Sequence, residues 1–287
     1  MKSYYLTIDL EDFTYEMHRI FALELRSNHD ALWSCYNLIN DFALKHLDSN
    51  QITFFTTGVL AENNQDLIKK IVSDGHEIAS HYYNHNHMFK QELKTIENEI
   101  NLAIDAIVKA CNIRPIGFRA PAFSIPTYRE DIFLIIKKYF RYDSSYVIEN
   151  YDKEINISLN KDIFDDINFT EFPILTKPYF FNKIHLKSGG SFFRIFGKKT
   201  LGKIMENSIK YGFVPIVYLH PYDILSDKEF WFKYEDFDKG YFTQRLKNWI
   251  MQNKYLSIGN KNTISKLAYL NKHFEHQGTL RSALKKL

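Results

Sequence analysis

Ile52 to Met88 reads ITFFTTGVLAENNQDLIKKIVSDGHEIASHYYNHNHM, and the alternation of element types within it decides the fold. Ile52 to Thr56 (ITFFT) is β-branched and aromatic, the composition of a fully buried strand. Asn64 to Ser73 (NQDLIKKIVS) has helical spacing, with Gly75 as its stop signal. Ile78 and Ala79 then return to a short strand, and His81, His85 and His87 follow within seven residues. Neutral imidazoles are the commonest protein metal ligands. Two of them, at a strand end and in the turn after it, can grip one divalent ion if a carboxylate comes from elsewhere.

Moving outward, the same grammar repeats. Tyr4 to Ile8 (YYLTI) predicts a buried strand that opens into three acids, Asp9, Glu11 and Asp12. Carboxylates crowded at a strand end repel one another unless a cation or an arginine offsets them. Asn37 to Leu47 and Gln91 to Ala110 have helical spacing, the second amphipathic and unbroken by Gly or Pro. Ile116 to Phe118 is a strand delivering Arg119, with Pro121 stiffening the loop that continues through Ala122 and Phe123. Arg129 to Phe140 is helical, Tyr142 to Ser145 (YDSS) places Asp143 at another strand end, and Phe169 to Ile174 is a strand carrying Glu171. Thr200 to Tyr211 is helical. Val214 to Leu219 is the most apolar strand and delivers His220, Pro221, Tyr222 and Asp223. Strands alternating with helices predict an α/β fold with parallel strands, whose active sites sit at strand C-terminal ends.

Between these elements, residues 147–168 are polar and aperiodic, a surface excursion rather than a second domain. Lys177 to Phe196 is expected to be a hairpin or lid turning at Gly189-Gly190. Phe242 to Met251, a short strand near Tyr255 to Ile258, and Asn262 to Asn271 finish the domain. Residues 1–275 are thus one barrel-sized domain, and 276–287 (HQGTLRSALKKL) form a basic tail, expected to be a frayed surface helix with at most a weak membrane-surface contact.

The chain has 287 residues and is 45% hydrophobic, enough for a substantial core. A net charge of +3 with interspersed signs is too mild to argue for nucleic acid. The 19 Tyr and 24 Phe exceed what one core needs, so some rings are expected to line a sugar-binding groove. Cys35 and Cys111 read as separate buried thiols. MKSYYLTIDLED has no apolar h-region and reaches carboxylates by residue 9, which predicts a cytoplasmic protein without a signal peptide; no apolar run is long enough to span a membrane.

Taken in order, TIDLED, SHYYNH, FRAPAF, YDSS and YLHPYD resemble the five motifs of the polysaccharide deacetylase family, the carbohydrate esterases related to chitooligosaccharide deacetylases. The resemblance implies a distorted (β/α) barrel of about seven parallel strands that removes acetyl groups from glycans with one divalent metal, for which Zn²⁺ suits the ligand types. It further implies His81 and His85 as metal ligands, Asp9 as general base, Arg119 as its holder, His220 as general acid and Asp143 as support for the arginine and histidine. Phe123, through its backbone N–H, and Tyr222 take the substrate and oxyanion positions.

The family's adjacent aspartate pair is replaced here by Asp9-Leu10-Glu11-Asp12, so the third metal ligand is Asp12 or Glu11. Asp12 is preferred in this reading, although residues i and i+2 on one strand face favour Glu11. Tyr82 replaces a small residue and is expected to narrow the groove. The expected substrate is an acetylated glycan or sugar precursor, most simply an N-acetylated sugar of a surface polysaccharide. Two readings compete: a metal-independent hydrolase of a small cyclic amide, and a catalytically silent glycan-binding barrel. A Ser-nucleophile elbow and a phosphate-binding glycine loop are both absent from the sequence.

Overall fold

The computed structural model describes residues 2–12, 21, 29–49, 51–126, 128–149, 169–181, 183–225, 232–237 and 240–284. Its centre is one parallel sheet built from β1 (Lys2–Leu10), β2 (Thr53–Thr56), β3 (Glu77–Ser80), β4 (Gly117–Phe118), β5 (Tyr142–Asp143), β7 (Thr170–Glu171) and β11 (Ile216–Leu219). The spatial order is β11-β1-β2-β3-β4-β5-β7, with β12 (Phe274–His276) beside the start of β1. Helices His29–His46, Leu93–Cys111, Glu130–Tyr139 and Lys198–Lys210 intervene between strands. This is the expected distorted (β/α) barrel. β6 (Val147–Ile148) and β8 (Ile174–Leu175) pair in parallel just beyond β5 and β7.

Register positions the chemistry. Ile8 pairs with Leu219, Leu10 with Thr56, Thr56 with Ser80, Ser80 with Phe118 and Phe118 with Asp143. Because the strands are parallel and in step, the residues immediately after them, Glu11, His81, Arg119, Ser144 and His220, emerge at one rim. What holds the register is burial on both faces: Leu6, Ile8, Phe54, Phe55, Ile78, Ala79, Phe118, Val217 and Leu219 are at most 2% exposed. Each such side chain contributes about 1.5–3 kcal/mol, and a one-residue slip would turn every one of them over.

Four expectations change. Tyr255 to Ile258 is not a strand: helix Phe242–Ser257 runs through it. The Arg194 guanidinium donates to the Tyr255 and Ile258 carbonyls, and Gly259, at φ 84°, ends the helix. This capping outweighs the aromatic strand cue. The hairpin of β9 (Lys177–Tyr179) and β10 (Ile184–Leu186) turns at Phe180 to Lys183, not at Gly189-Gly190. Gly189 serves close packing, since a Cβ there would stand 2.1 Å from the Tyr218 carbonyl oxygen. The tail is docked rather than frayed: His276 ends β12, the Leu280 N–H donates to Thr53 Oγ1, and Leu280 is fully buried. Three residues of the expected excursion, 147–149, join the framework, two of them as β6; residues 150–168 and 285–287 lie outside the described residues. Cys35 is buried and Cys111 half-buried, neither in a disulfide.

Candidate active site

The site begins with a local turn. The Glu11 N–H donates to the Asp9 carbonyl at 3.0 Å, which curls the chain after β1 so that Asp9 and Glu11 both line the same pocket of about 470 Å³. Asp9 is held from behind. Arg119, completely buried, donates Nη1 to Asp9 Oδ1 at 2.6 Å and to Thr7 Oγ1 at 2.9 Å. Its Nε and Nη2 go to the Ser144 carbonyl and Oγ at 3.2 and 2.9 Å, and its face lies 4.1 Å from the centre of the Phe55 ring. A buried guanidinium with this many partners and one carboxylate is fully compensated.

The histidine loop is pinned from two sides. Helix Gly58–Asn63 begins beneath it and spends its first N–H groups on it: Gly58 donates to the Tyr82 carbonyl and Val59 to the Tyr83 carbonyl. Only glycine fits at 58, because a Cβ would meet the Tyr83 ring at 2.3 Å. Tyr82 and His85 both have left-handed backbone (φ 68° and 57°), uncommon for such side chains and costing of order 1 kcal/mol each. The result is two imidazoles whose centres are 5.0 Å apart. His81 Nδ1 donates to the Arg119 carbonyl at 2.8 Å, which leaves Nε2 as the acceptor facing Glu11.

Glu11 Oε2 lies 3.7 Å from His81 Nε2 and contacts His85 Nε2. Buried as it is, no donor meets this oxygen with hydrogen-bond geometry. Glu11, His81 and His85 offer ligand atoms all within 4.8 Å of one another, the one such group among the described residues. A buried carboxylate oxygen without a donor of hydrogen-bond geometry, faced by the His85 ring and by His81 Nε2, whose companion Nδ1 carries the proton, fits a divalent cation with N and O ligands. Burial alone would raise the Glu11 pKa, but His85 first, then His220 and His81, hold it down at about 2. Burial pushes His81 down to about 4, so it is neutral, the form that ligates.

Across the pocket stands His220. Its Nε2 is 3.6 Å from Glu11 Oε1 and 3.9 Å from Asp9 Oδ2, and its Nδ1 is 2.7 Å from Asp223 Oδ2. The local sequence makes this pair. Pro221 opens the short helix Pro221–Ile224, and Asp223, three residues after His220, bonds both the His220 backbone N–H (2.9 Å) and its ring. Arg194 Nε sits 2.5 Å from Asp223 Oδ1, completing a buried Arg194-Asp223-His220 chain. Burial opposes the imidazolium, yet Asp223, with Glu11 and Asp9, raises His220 to about 9. Tyr222 stacks on His220 at 4.7 Å and lines the pocket, as do Phe123, Phe192, Tyr218 and Tyr255, the aromatic groove expected from composition.

Several assignments move. Asp12 lines the pocket but is outside the Glu11, His81, His85 group, because the turn at residues 9–11 brings Glu11 inward. His87 is also outside it, its ring tilted against Phe89. Asp143 reaches Arg119 only indirectly. It accepts from Ser145 Oγ at 2.6 Å, and Ser145 in turn accepts from the Ala120 N–H at 2.7 Å. Burial raises the pKa of Asp143 and of its cross-strand neighbour Glu171, and the two carboxyls interact, so this pair braces the Arg119 loop from below. The Phe123 N–H donates to the Ala120 carbonyl at 3.1 Å, so it is engaged rather than presented to an oxyanion. Tyr82 is fully buried and hydrogen-bonded to Gln91, packing the core instead of narrowing the groove. Sequence reasoning gave Asp223 no role although its i+3 spacing was visible, and it missed Arg194, which reaches the site only through tertiary structure.

Residues 39–139 match the family model described as Polysaccharide deacetylase. The chain is 38% identical over 72 residues to the Uncharacterized protein YlxY of Bacillus subtilis (strain 168), 25% of this chain and 23% of that protein. It is 36% identical over 70 residues to the Chitooligosaccharide deacetylase of Bradyrhizobium sp. (strain ANU 289), 24% of this chain and 32% of that one. The matches therefore span a third or less of these relatives' lengths. Among solved structures, the Family 4 carbohydrate esterase from Streptomyces lividans in complex with acetate aligns with a TM-score of 0.43 and 15% identity, covering 77% of this chain and 79% of that one.

Proposed function

We propose that this chain, whose residues 39–139 match the Polysaccharide deacetylase family model, is a metal-dependent hydrolase removing an acetyl group, N-linked, from a sugar of a surface polysaccharide or its precursor. The observation that carries the reading is the rim itself: a cation-ready Glu11, His81, His85 group beside an arginine-held aspartate and an aspartate-held histidine in one pocket. Acyl hydrolysis needs these two kinds of group, one to take a proton from water and one to give a proton to the leaving nitrogen.

Glu11, His81 and His85 would hold the ion, with Glu11 rather than Asp12 as the carboxylate. A divalent ion such as Zn²⁺ supplies Lewis acidity toward the acetyl carbonyl and an approaching water. Asp9 is the general base: Oδ1 is fixed by Arg119, so the carboxylate accepts the water's proton without changing its orientation. His220 is the general acid. Raised to about 9, it is charged at neutral pH and delivers a proton to the sugar nitrogen, while Asp223 fixes the ring through Nδ1. Tyr222, stacked on His220, orients the ring and the sugar. Acetate and the free amine leave, and the residues return to their starting protonation with one water consumed.

No helix among the described residues is long and apolar enough to cross a membrane; a cytoplasmic site of action on a precursor is part of the proposal. Acetate release from N-acetylated chitooligosaccharides by the zinc-loaded chain tests it. Asp9→Asn is expected to slow release by about 10²- to 10⁴-fold, and wild-type turnover in that variant removes Asp9 from the role of base. Release of acetate at full rate after zinc is stripped and shown absent by elemental analysis contradicts the metal dependence.

A further inference from the structure

One cation in the pocket has no task in this hydrolysis. Lys187, directly after β10, lines the same pocket as Glu11, His220 and Phe123. Its ammonium lies 5.1 Å from the centre of the Phe123 ring. Among the described residues, no carboxylate comes within ion-pair distance of it and no acceptor takes a hydrogen bond from it. Burial lowers its pKa, and Glu149 is the carboxylate that acts on it in the other direction.

The side chain is also held in place. Leu186 before it is fully buried; Ser188 after it donates Oγ to the Ile216 carbonyl at 2.5 Å; Gly189 lies flush against Tyr218. Phe123 is fixed in turn, with left-handed backbone at φ 53° and its ring edge-on to Tyr218 at 5.0 Å. A cation–π contact offsets only part of the cost of withdrawing an ammonium from water. A pre-positioned ammonium without a carboxylate at ion-pair distance, on the wall of a sugar-sized pocket, is the chemistry that receives an oxyanion.

We propose that Lys187 is an anion subsite: the sugar this pocket takes carries a carboxylate or phosphate substituent that pairs with Lys187 while its acetyl group lies at Glu11, His81 and His85. The proposal rests on the deacetylase reading for the orientation of the sugar, and the experiment separates the two. Isothermal titration of the full, zinc-loaded chain with N-acetylglucosamine, N-acetylmuramic acid and N-acetylglucosamine 1-phosphate measures affinity without requiring turnover; acetate is assayed in parallel. At least one anionic sugar is expected to bind about tenfold or more tightly than the neutral one. Preference for the muramic acid identifies a carboxylate, and preference for the phosphate a phosphorylated precursor. Lys187→Gln is expected to bring the anionic sugars down to the neutral sugar's affinity, and Lys187→Arg to retain the preference, showing that the variants fold. Equal affinity for all three sugars, no detectable binding of either anionic sugar, or a preference that survives in Lys187→Gln overturns the proposal. Lys187-dependent binding with no acetate released from these sugars or from N-acetylated chitooligosaccharides would instead sink the deacetylase reading and leave the subsite standing.

Discussion

Two buried glutamates sit at opposite ends of the same sheet, and they are built differently. Glu77 opens β3 at the end away from the pocket, where it accepts from Thr53 Oγ1 (2.8 Å), Tyr142 OH (3.1 Å) and the Arg281 N–H (3.0 Å). Burial raises its pKa despite these donors. Glu11, just past the end of β1, has imidazoles around it and a buried oxygen that no donor satisfies. A carboxylate whose lone pairs are filled by the protein is part of the framework. One left with an open oxygen beside two imidazoles, His81 with its Nδ1 proton already engaged, is prepared for something the chain does not supply.

The sharpest way to break that contrast is to exchange the losses. Glu11→Gln is expected to reduce zinc affinity by at least about a hundredfold and acetate release with it, while the metal-free Tm moves less than in Glu77→Ala. Glu77→Ala is expected to cost about 3 kcal/mol by leaving three donors unpaired, lowering Tm by roughly 5–10 °C, with zinc stoichiometry retained. Zinc titration and thermal denaturation of both variants read the two outcomes; parallel behaviour of the pair would dissolve the distinction. Next in size, Leu280→Ala is expected to cost about 2–5 kcal/mol, because the C-terminal helix Leu280–Ala283 covers the Glu77 end. Retained chemical-denaturation stability in that variant would return the tail to the surface.

The smallest effects lie in pH. His220, raised to about 9, contributes stability that is fully present below its unfolded value of 6.5 and is lost as pH rises through about 9. His81 and His76, both lowered to about 4 by burial, act oppositely: their contribution is present above pH 6.5 and is lost as pH falls toward 4. Metal-free denaturation curves should therefore weaken on both sides of neutrality. Asp223→Asn removes the principal raising charge on His220, so an NMR titration of that ring should move well below 9; an unchanged value would mean that Asp223 does not set it.

The rim was legible in the sequence because parallel strands in register turn "next residue after a buried strand" into a spatial address. His81, Arg119 and His220 follow from that rule, whereas β1 runs two residues past the predicted Ile8, so Asp9 lies within it. Glu11 against Asp12 was not legible, since it depends on the turn made by the Glu11 N–H and the Asp9 carbonyl. How Asp143 acts was not legible for a related reason: strand-end position puts it near Arg119, but its hydrogen bond goes to Ser145, and the neighbouring Ser144 serves the guanidinium. Tyr255 to Ile258 and the tail misled because short aromatic or amphipathic segments take their conformation from long-range partners, here Arg194, Thr53 and Glu77.

Anomalous diffraction at the zinc edge from crystals of the full chain grown with zinc addresses the central claim most directly. The expected result is one strong peak at the rim bonded by Glu11, His81 and His85. A peak bonded by Asp12 in place of Glu11, or no peak among these three side chains, would contradict it.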